Sequence, residues 1–433
     1  MRLRTAASYN PVVSKRLKSS LVLLCLAIVL ASCGSSEDDG GPQFVNDPRP
    51  TSTVSATATT APTAPPTATA AATQSASRLL DTRSAPRFVY LTINDVLTSY
   101  DTANRVFTTL DVSEDMSVVD YAASPTGDRV GILAVRSNRL VVQFYGADGA
   151  ALSDFILLSV PPVVQVQATP ESATPVVLIP DRSDQMHIDW VPQGNAVIVS
   201  GPGVSQHVSM SGAVMPISRT GTSGDVVRAI WSPMDSQIAI QTRTQNGDQR
   251  VYMLDMGHDE ATELDLFSDE SGMVLSNLQW LPSGLGLVVV AGTLSDGVVM
   301  HGQLYVYRFA DEEPTMLATS GQGGPNATIT HAAVSPDGHS VVYAVMVNDA
   351  GGWYLHSLWV KSIKGGPAVE IPTTSAAPIT SLQWSDEGVI WQQADGTLMV
   401  VGKSLEPRPL GTEPQATPVS TPQATPVNDT PVG

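Results

Sequence analysis

One short phrase recurs six times along this chain, and it limits the folds available more than any other feature. The phrase is an aromatic or apolar residue, a turn that usually contains proline, and then a run of branched apolars. It reads Ala123-Ser124-Pro125-Thr126-Gly127, Trp190-Val191-Pro192-Gln193-Gly194, Trp231-Ser232-Pro233-Met234-Asp235 and Trp280-Leu281-Pro282-Ser283-Gly284. Val334-Ser335-Pro336-Asp337-Gly338 and Trp384-Ser385-Asp386-Glu387-Gly388 complete the set. Four of the seven tryptophans stand at the same place in the phrase. Proline sets φ in such a turn and glycine supplies a positive φ, so the spacing is a backbone requirement. The runs that follow, at 130–135, 196–200, 238–241, 287–291, 341–346 and 389–392, read as strands, with second strands such as 251–254, 304–307 and 357–360. No segment shows a sustained helical period. Each unit is expected to form a four-stranded antiparallel sheet that cannot bury both faces alone and must stack on its neighbours.

These units resemble the WD40-like repeats of TolB-type β-propellers, whose pattern is Trp-Ser-Pro-Asp-Gly followed by a strand. Val334-Ser335-Pro336-Asp337-Gly338 is the nearest match, and the others depart at the Asp or the Gly. The resemblance covers residues 115–411 and implies an all-β propeller. Ahead of it, 88–92, 96–100 and 106–110 read as three strands of a further unit, with Arg78-Leu79-Leu80 as a candidate innermost strand. The propeller is thus expected over residues 77–411 with seven blades, near the ~40–50 residues typical of one blade. Six blades, with the first segment closing the ring differently, is the alternative.

The amino terminus carries an address. Arg2, Arg4, Lys15, Arg16 and Lys18 precede an apolar run of 11 residues, 21–31, too short to span a bilayer as a helix. Basic residues, an apolar run and a small-residue cleavage point describe a secretory signal peptide over residues 1–32. Leu30-Ala31-Ser32-Cys33 resembles a bacterial lipobox, which implies that Cys33 is lipidated, becomes the first mature residue and anchors the protein to a membrane facing the extracytoplasmic side. Cys25 would be discarded with the signal, leaving no disulfide and no cysteine metal site. Five of the 23 Lys and Arg and none of the 41 Asp and Glu fall in residues 1–32, so the mature net charge is −23. That excess argues against nucleic acid and against electrostatic attachment to anionic lipid. Residues 33–76 are Ser/Thr/Pro/Ala-rich and read as a disordered tether, and residues 412–433 as a similar tail. Gln167-Ala168-Thr169-Pro170 to Pro175 reads as an exposed loop within the folded part.

Catalytic motifs are not evident. Gly402-Lys403-Ser404 has Thr397 where a phosphate loop needs glycine and follows a strand, and Gly321-Gln322-Gly323-Gly324 lies between strands. One pattern does stand out. Three residues before each repeat's Trp position stand Asp120, His187, Arg228, Asn277, His331 and Ser381, all polar. One residue further on are Tyr121, Ile188, Ala229, Leu278, Ala332 and Leu382, mostly apolar. A period of two puts the polar set on one strand face, joined by Asp189, Gln279 and Gln383. On an innermost strand such residues would ring the central channel, either as a ligand site or as a water-facing wall. His187 with Asp189 is the best metal pair, but two ligands are not a site. No catalytic residue, metal or cofactor is therefore assigned. Asp235, Asp337 and Asp386 read as turn caps, and Trp353, Tyr354 and Trp391 as packing between blades. The leading expectation is a non-catalytic module that binds another envelope or secreted protein. A hydrolase or lyase acting in the channel on an extracellular polymer or small ligand, and a structural spacer or coat component, are the alternatives.

Overall fold

The computed structural model describes residues 79–411, apart from 160–184, 259, 268–271, 296–297, 312, 350 and 374. The signal peptide, Cys33, the tether, the tail and the loop at 167–175 lie outside the described residues. The described chain forms seven antiparallel sheets, six with four strands and the first with three. Blade four is representative, with strands Asp225–Trp231, Gln237–Arg243, Gln249–Asp255 and Thr262–Leu264 paired in sequence order. The innermost strands of blades two to seven are Met116–Ala123, His187–Trp190, Asp225–Trp231, Met273–Trp280, Ala327–Val334 and Ile379–Ser385. Each repeated turn joins an innermost strand to the second strand of its blade.

Seven blades rather than six follows from the seams. The buried apolar residues divide into seven clusters, and each cluster joins one adjacent pair of blades. Ile198 of blade three meets Ala229, Ile238 and Ile240 of blade four. On its opposite face blade four presents Ala239 and Val251 to Leu278 and Val289 of blade five. Alternate residues of one strand thus serve two different seams, which is why runs such as Ile238-Ala239-Ile240 are apolar throughout. The last cluster puts Val89, Leu91 and Tyr100 of blade one against Ile390, Val400 and Leu410 of blade seven, and closes the ring.

The turns also interlock. Gly127 has φ +75°, and a Cβ there would lie 2.7 Å from Pro86 Cβ in the turn before it. Gly284 has φ +68°, and a Cβ there would overlap the Met234 side chain. In both places the missing side chain admits the left-handed backbone and the neighbouring turn at once.

Blade one departs from expectation. Leu79 and Leu80 form no strand, and Leu80 is instead fully buried between blades six and seven beside Trp384. Among the described residues Phe88–Ile93, Val96–Asp101 and Val106–Thr109 therefore make a three-stranded blade without an inner strand. Its first strand packs as the second strands of other blades do, against Val130 and Ile132 on one side and Ile390 on the other. The vacancy shows on blade two. Val118 is 40% exposed, whereas its counterparts Val226, Leu275, Ile329 and Ile379 are 0, 7, 0 and 4% exposed. Two apolar residues at positions 79 and 80 gave the expectation of a strand. The demand of the seam between blades six and seven for a buried leucine outweighs it.

Candidate functional site

The inner ring is where the polar pattern falls, and the backbone explains how it is aimed. In five of the six inner strands a β-bulge sits just before the polar position: between Val118 and Asp120, Val226 and Arg228, Leu275 and Asn277, Ile329 and His331, and Ile379 and Ser381. A bulge adds one residue and turns the strand, which redirects the side chain that follows. Asp120, His187, Asp189, Arg228, Asn277, Gln279, His331, Ser381 and Gln383 are all half-buried. Between them Ile188, Ala229, Leu278 and Ala332 are buried, while Tyr121 and Leu382 are half-buried.

Most of the nine reach the next blade. Asp120 accepts hydrogen bonds from the Tyr121 and Ile188 amides at 2.9 and 3.0 Å, and its carboxylate lies 3.6 Å from His187 Nδ1. Asp189 takes a two-pronged pair from Arg228, with Nε and Nη2 at 3.0 and 2.8 Å. Burial disfavours the Arg228 charge, but Asp189 outweighs it, and the guanidinium pKa ends above its ordinary value. Asn277 and Gln279 both donate to the Ala332 carbonyl, at 3.1 and 2.6 Å, and Gln279 accepts from the Val334 amide at 3.1 Å. Gln383 donates to the Tyr90 carbonyl at 3.2 Å. Burial holds the His331 imidazole pKa below its usual value, with a hydrogen bond involving the Thr380 backbone opposing the shift. The Ser381 hydroxyl is buried without a hydrogen-bond partner.

The repeated tryptophans tie the seams in the reverse direction. Trp190, Trp280 and Trp384 donate Nε1–H to the carbonyls of Ala122, Ile230 and Ala333, at 2.6, 3.1 and 2.9 Å. Each acceptor immediately precedes the Trp position of the blade before. Trp231 breaks the rule: its Nε1 is buried without a partner, and its ring lies 5.7 Å from that of His207.

The ring is therefore divided. Asp120 beside His187, and Asp189 paired with Arg228, put two carboxylates, an imidazole and a guanidinium along blades two to four. Asn277, Gln279, His331, Ser381 and Gln383 supply amides, an imidazole and a hydroxyl from blade five to blade seven. Among the described residues no three His, Cys, Asp or Glu side chains converge on a common point. A cavity of about 230 Å³ adjoins His187, lined also by Gln185, Asp225, Val226, Arg243 and Thr244. Asp225 and Arg243 were not picked out by the sequence pattern, because they pair at the open end of a hairpin, away from the repeated turn.

No family model matches this sequence, and no curated protein matches it. Solved structures do match. TolB from Acinetobacter baumannii aligns at 13% identity over 69% of this chain and 66% of its own, with a TM-score of 0.44. A putative TolB from Agrobacterium tumefaciens aligns at 16% identity over 52% of this chain and 79% of its own, with a TM-score of 0.38. A chain of a mitotic checkpoint complex aligns at 13% identity over 81% and 99%, with a TM-score of 0.45. Likeness this distant carries no argument about fold or activity. The seven blades are read from the sheets and seams of the chain itself.

Proposed function

We propose that this protein is a lipid-anchored, extracytoplasmic β-propeller that binds another envelope or secreted protein without catalysing a reaction. The observation that carries this reading is the use to which the inner-ring polar side chains are put. Asp120, Asp189, Arg228, Asn277, Gln279 and Gln383 spend their hydrogen bonds on the neighbouring blade, as parts of a rigid ring, where an active site would aim them at a common reacting atom. Such a ring presents its turns and hairpins as fixed surfaces, and binding surfaces on rigid scaffolds fall on such loops. The basic start, the apolar run and the Leu-Ala-Ser-Cys sequence support the anchor.

The test is cross-linking and affinity purification of the tagged full chain from native envelopes, with a Cys33→Ser form beside it. A stoichiometric partner captured by both forms supports the binding module. Absence of any partner overturns it. A fatty-acid label on the wild type but not on Cys33→Ser supports the anchor, and equal labelling of both removes it. The cavity beside His187 favours a second reading, in which a small polar ligand binds between blades three and four. A ligand screen that fails to distinguish wild type from Arg243→Ala would dispose of that reading.

A further inference from the structure

Five of the six repeated turns have the same length, the blade-seven turn being two residues shorter, and two of the five break the pattern of the others. The third turn position is Thr126, Gln193, Ser283 and Asp337 in blades two, three, five and six, but Met234 in blade four. The fifth position is Asp128, Asn195, Ser236 and His339 in blades two, three, four and six, but Leu285 in blade five. Polar residues suit a solvent-facing turn, and these two replacements are large and apolar. Met234 is 63% exposed and Leu285 is 67% exposed.

The two belong to neighbouring blades whose turns adjoin. The Met234 side chain lies against Gly284, the residue before Leu285. A third exposed apolar residue lies beside the blade-four turn, since the Met256 amide donates to the Ser236 carbonyl at 2.7 Å and Met256 is itself 47% exposed. Two methionines and a leucine thus stand exposed along the turn face of the adjoining blades four and five. Exposed apolar patches of this kind mark sites of association, and the unbranched methionine side chain adapts to whatever it meets.

The charge beside the patch narrows the occupant. Asp235 follows Met234 and Asp255 precedes Met256, and both are exposed. Among the described residues neither forms an ion pair with a basic side chain. The whole chain carries a net charge of −18. An anionic lipid surface would be repelled by this rim, whereas Lys or Arg next to an apolar side chain would be attracted.

We propose that Met234, Leu285 and Met256 form a docking surface for a segment of a partner protein that carries apolar side chains flanked by Lys or Arg. The proposal rests on the binding-module reading and locates its contact face. The chain itself supplies the test variant, because Met234→Thr and Leu285→Asn install residues that its other turns already carry at those positions. The full-length Cys33→Ser protein, with and without this pair of changes, is titrated with a labelled 12-residue peptide of alternating leucine and lysine. The same peptide with glutamate in place of lysine is the control.

The expected result is at least a tenfold weaker affinity for the Leu/Lys peptide in the double variant. Leu294→Thr, which alters an exposed apolar residue in a different hairpin, is expected to leave affinity within twofold of the starting protein. Equal binding by starting protein and double variant, equal binding of the glutamate peptide, or concentration-dependent self-association that the double variant abolishes would each overturn the proposal. The last outcome would assign the patch to a second copy of this chain. Capture from native envelopes separates the two levels of argument. A cross-linked partner retained equally by the double variant leaves the binding module standing and removes this face from it. No partner on the unaltered chain removes the module itself.

Discussion

The ion pair between Asp189 and Arg228 offers the sharpest test of the view that the inner ring is structural. Their side chains are 21 and 29% exposed, and they are joined by two hydrogen bonds across the seam of blades three and four. Asp189→Ala would leave a guanidinium in a site built for its partner. Breaking a fully buried pair costs about 3–5 kcal/mol. Water reaches part of this pair and screens it, so about 2 kcal/mol is the expected loss. In domains of 150–250 residues each kcal/mol moves Tm by about 2–4 °C, and the longer chain here points to the lower end, a drop of about 4 °C. Replacing both partners by apolar residues of similar size, Asp189→Leu with Arg228→Met, should cost less than about 1 kcal/mol, because no charge is then stranded. Urea unfolding of Asp189→Leu, Arg228→Met and the double variant, monitored by tryptophan fluorescence, measures the cycle. A single variant within about 0.5 kcal/mol of wild type, or a double variant whose loss equals the sum of the singles, would refute the reasoning.

Three further outcomes follow from the same geometry. Trp384→Phe removes the donor to Ala333 O and should destabilise by about 1 kcal/mol more than Trp231→Phe, whose indole N–H has no partner to lose; comparative thermal melts decide this. The Asp101 carboxyl is held down at about 2 by hydrogen bonds from Arg87 and Asn104, so its contribution is fully present above the unfolded value of 3.8 and is lost as the pH falls towards 2. Arg87→Ala should flatten that limb, and unchanged acid unfolding would contradict the assignment. His331 is kept neutral by burial with its pKa below 6.5, so the unfolded chain takes up the extra proton and stability should fall as the pH drops below about 6.5. His331→Gln should shrink the difference in unfolding free energy between pH 7.5 and pH 5.5, and an undiminished difference would exclude the assigned role.

Much of the architecture was legible because the repeat writes backbone demands directly into residue types. Proline and glycine marked the turns, and the branched apolars marked second strands such as Gln237–Arg243, which serve two seams. The polar positions were also legible, since a period of two separated Asp120 and His187 from Tyr121 and Ile188. Their engagement was not. Nothing in the one-letter order tells that Gln279 will grip Ala332 and Val334 across a seam, because that contact depends on the angle between blades and on a bulge at Ser276. Leu79 and Leu80 misled for a related reason. An apolar pair without a turn signal fits a strand as well as it fits a plug. The exposed Met234 and Leu285 were present in the aligned turns, but that their turns adjoin emerges only when blades four and five are placed side by side.

Blade one shows how a propeller closes when its ends are not covalently joined. Every other seam is crossed by the chain, but among the described residues blades seven and one meet through side chains and local backbone contacts. Their apolar cluster has just six buried members, and the first blade brings no inner strand to it. Its open edge is met from blade seven, where Gln383 and Gln392 donate to the carbonyls of Tyr90 and Thr92 as a missing strand would have done. The segment leading into the blade adds a clasp. Leu80 is anchored one seam back, Thr82 Oγ1 donates to Asp386 O at 2.9 Å, and the Asp386 amide donates to Pro86 O at 3.1 Å. Arg105, in the turn between the second and third strands, reaches Glu387 at 3.3 Å. These are modest bonds individually, about 1 kcal/mol each. They act together because the ring places their partners before any of them forms, so the entropy of bringing the ends together is met once for the whole set. A strand supplied in sequence order would have needed the residues before Phe88 to lie along the channel. This chain uses them over the turn of blade seven instead, and the exposed Val118 is the mark that choice leaves on the inner wall.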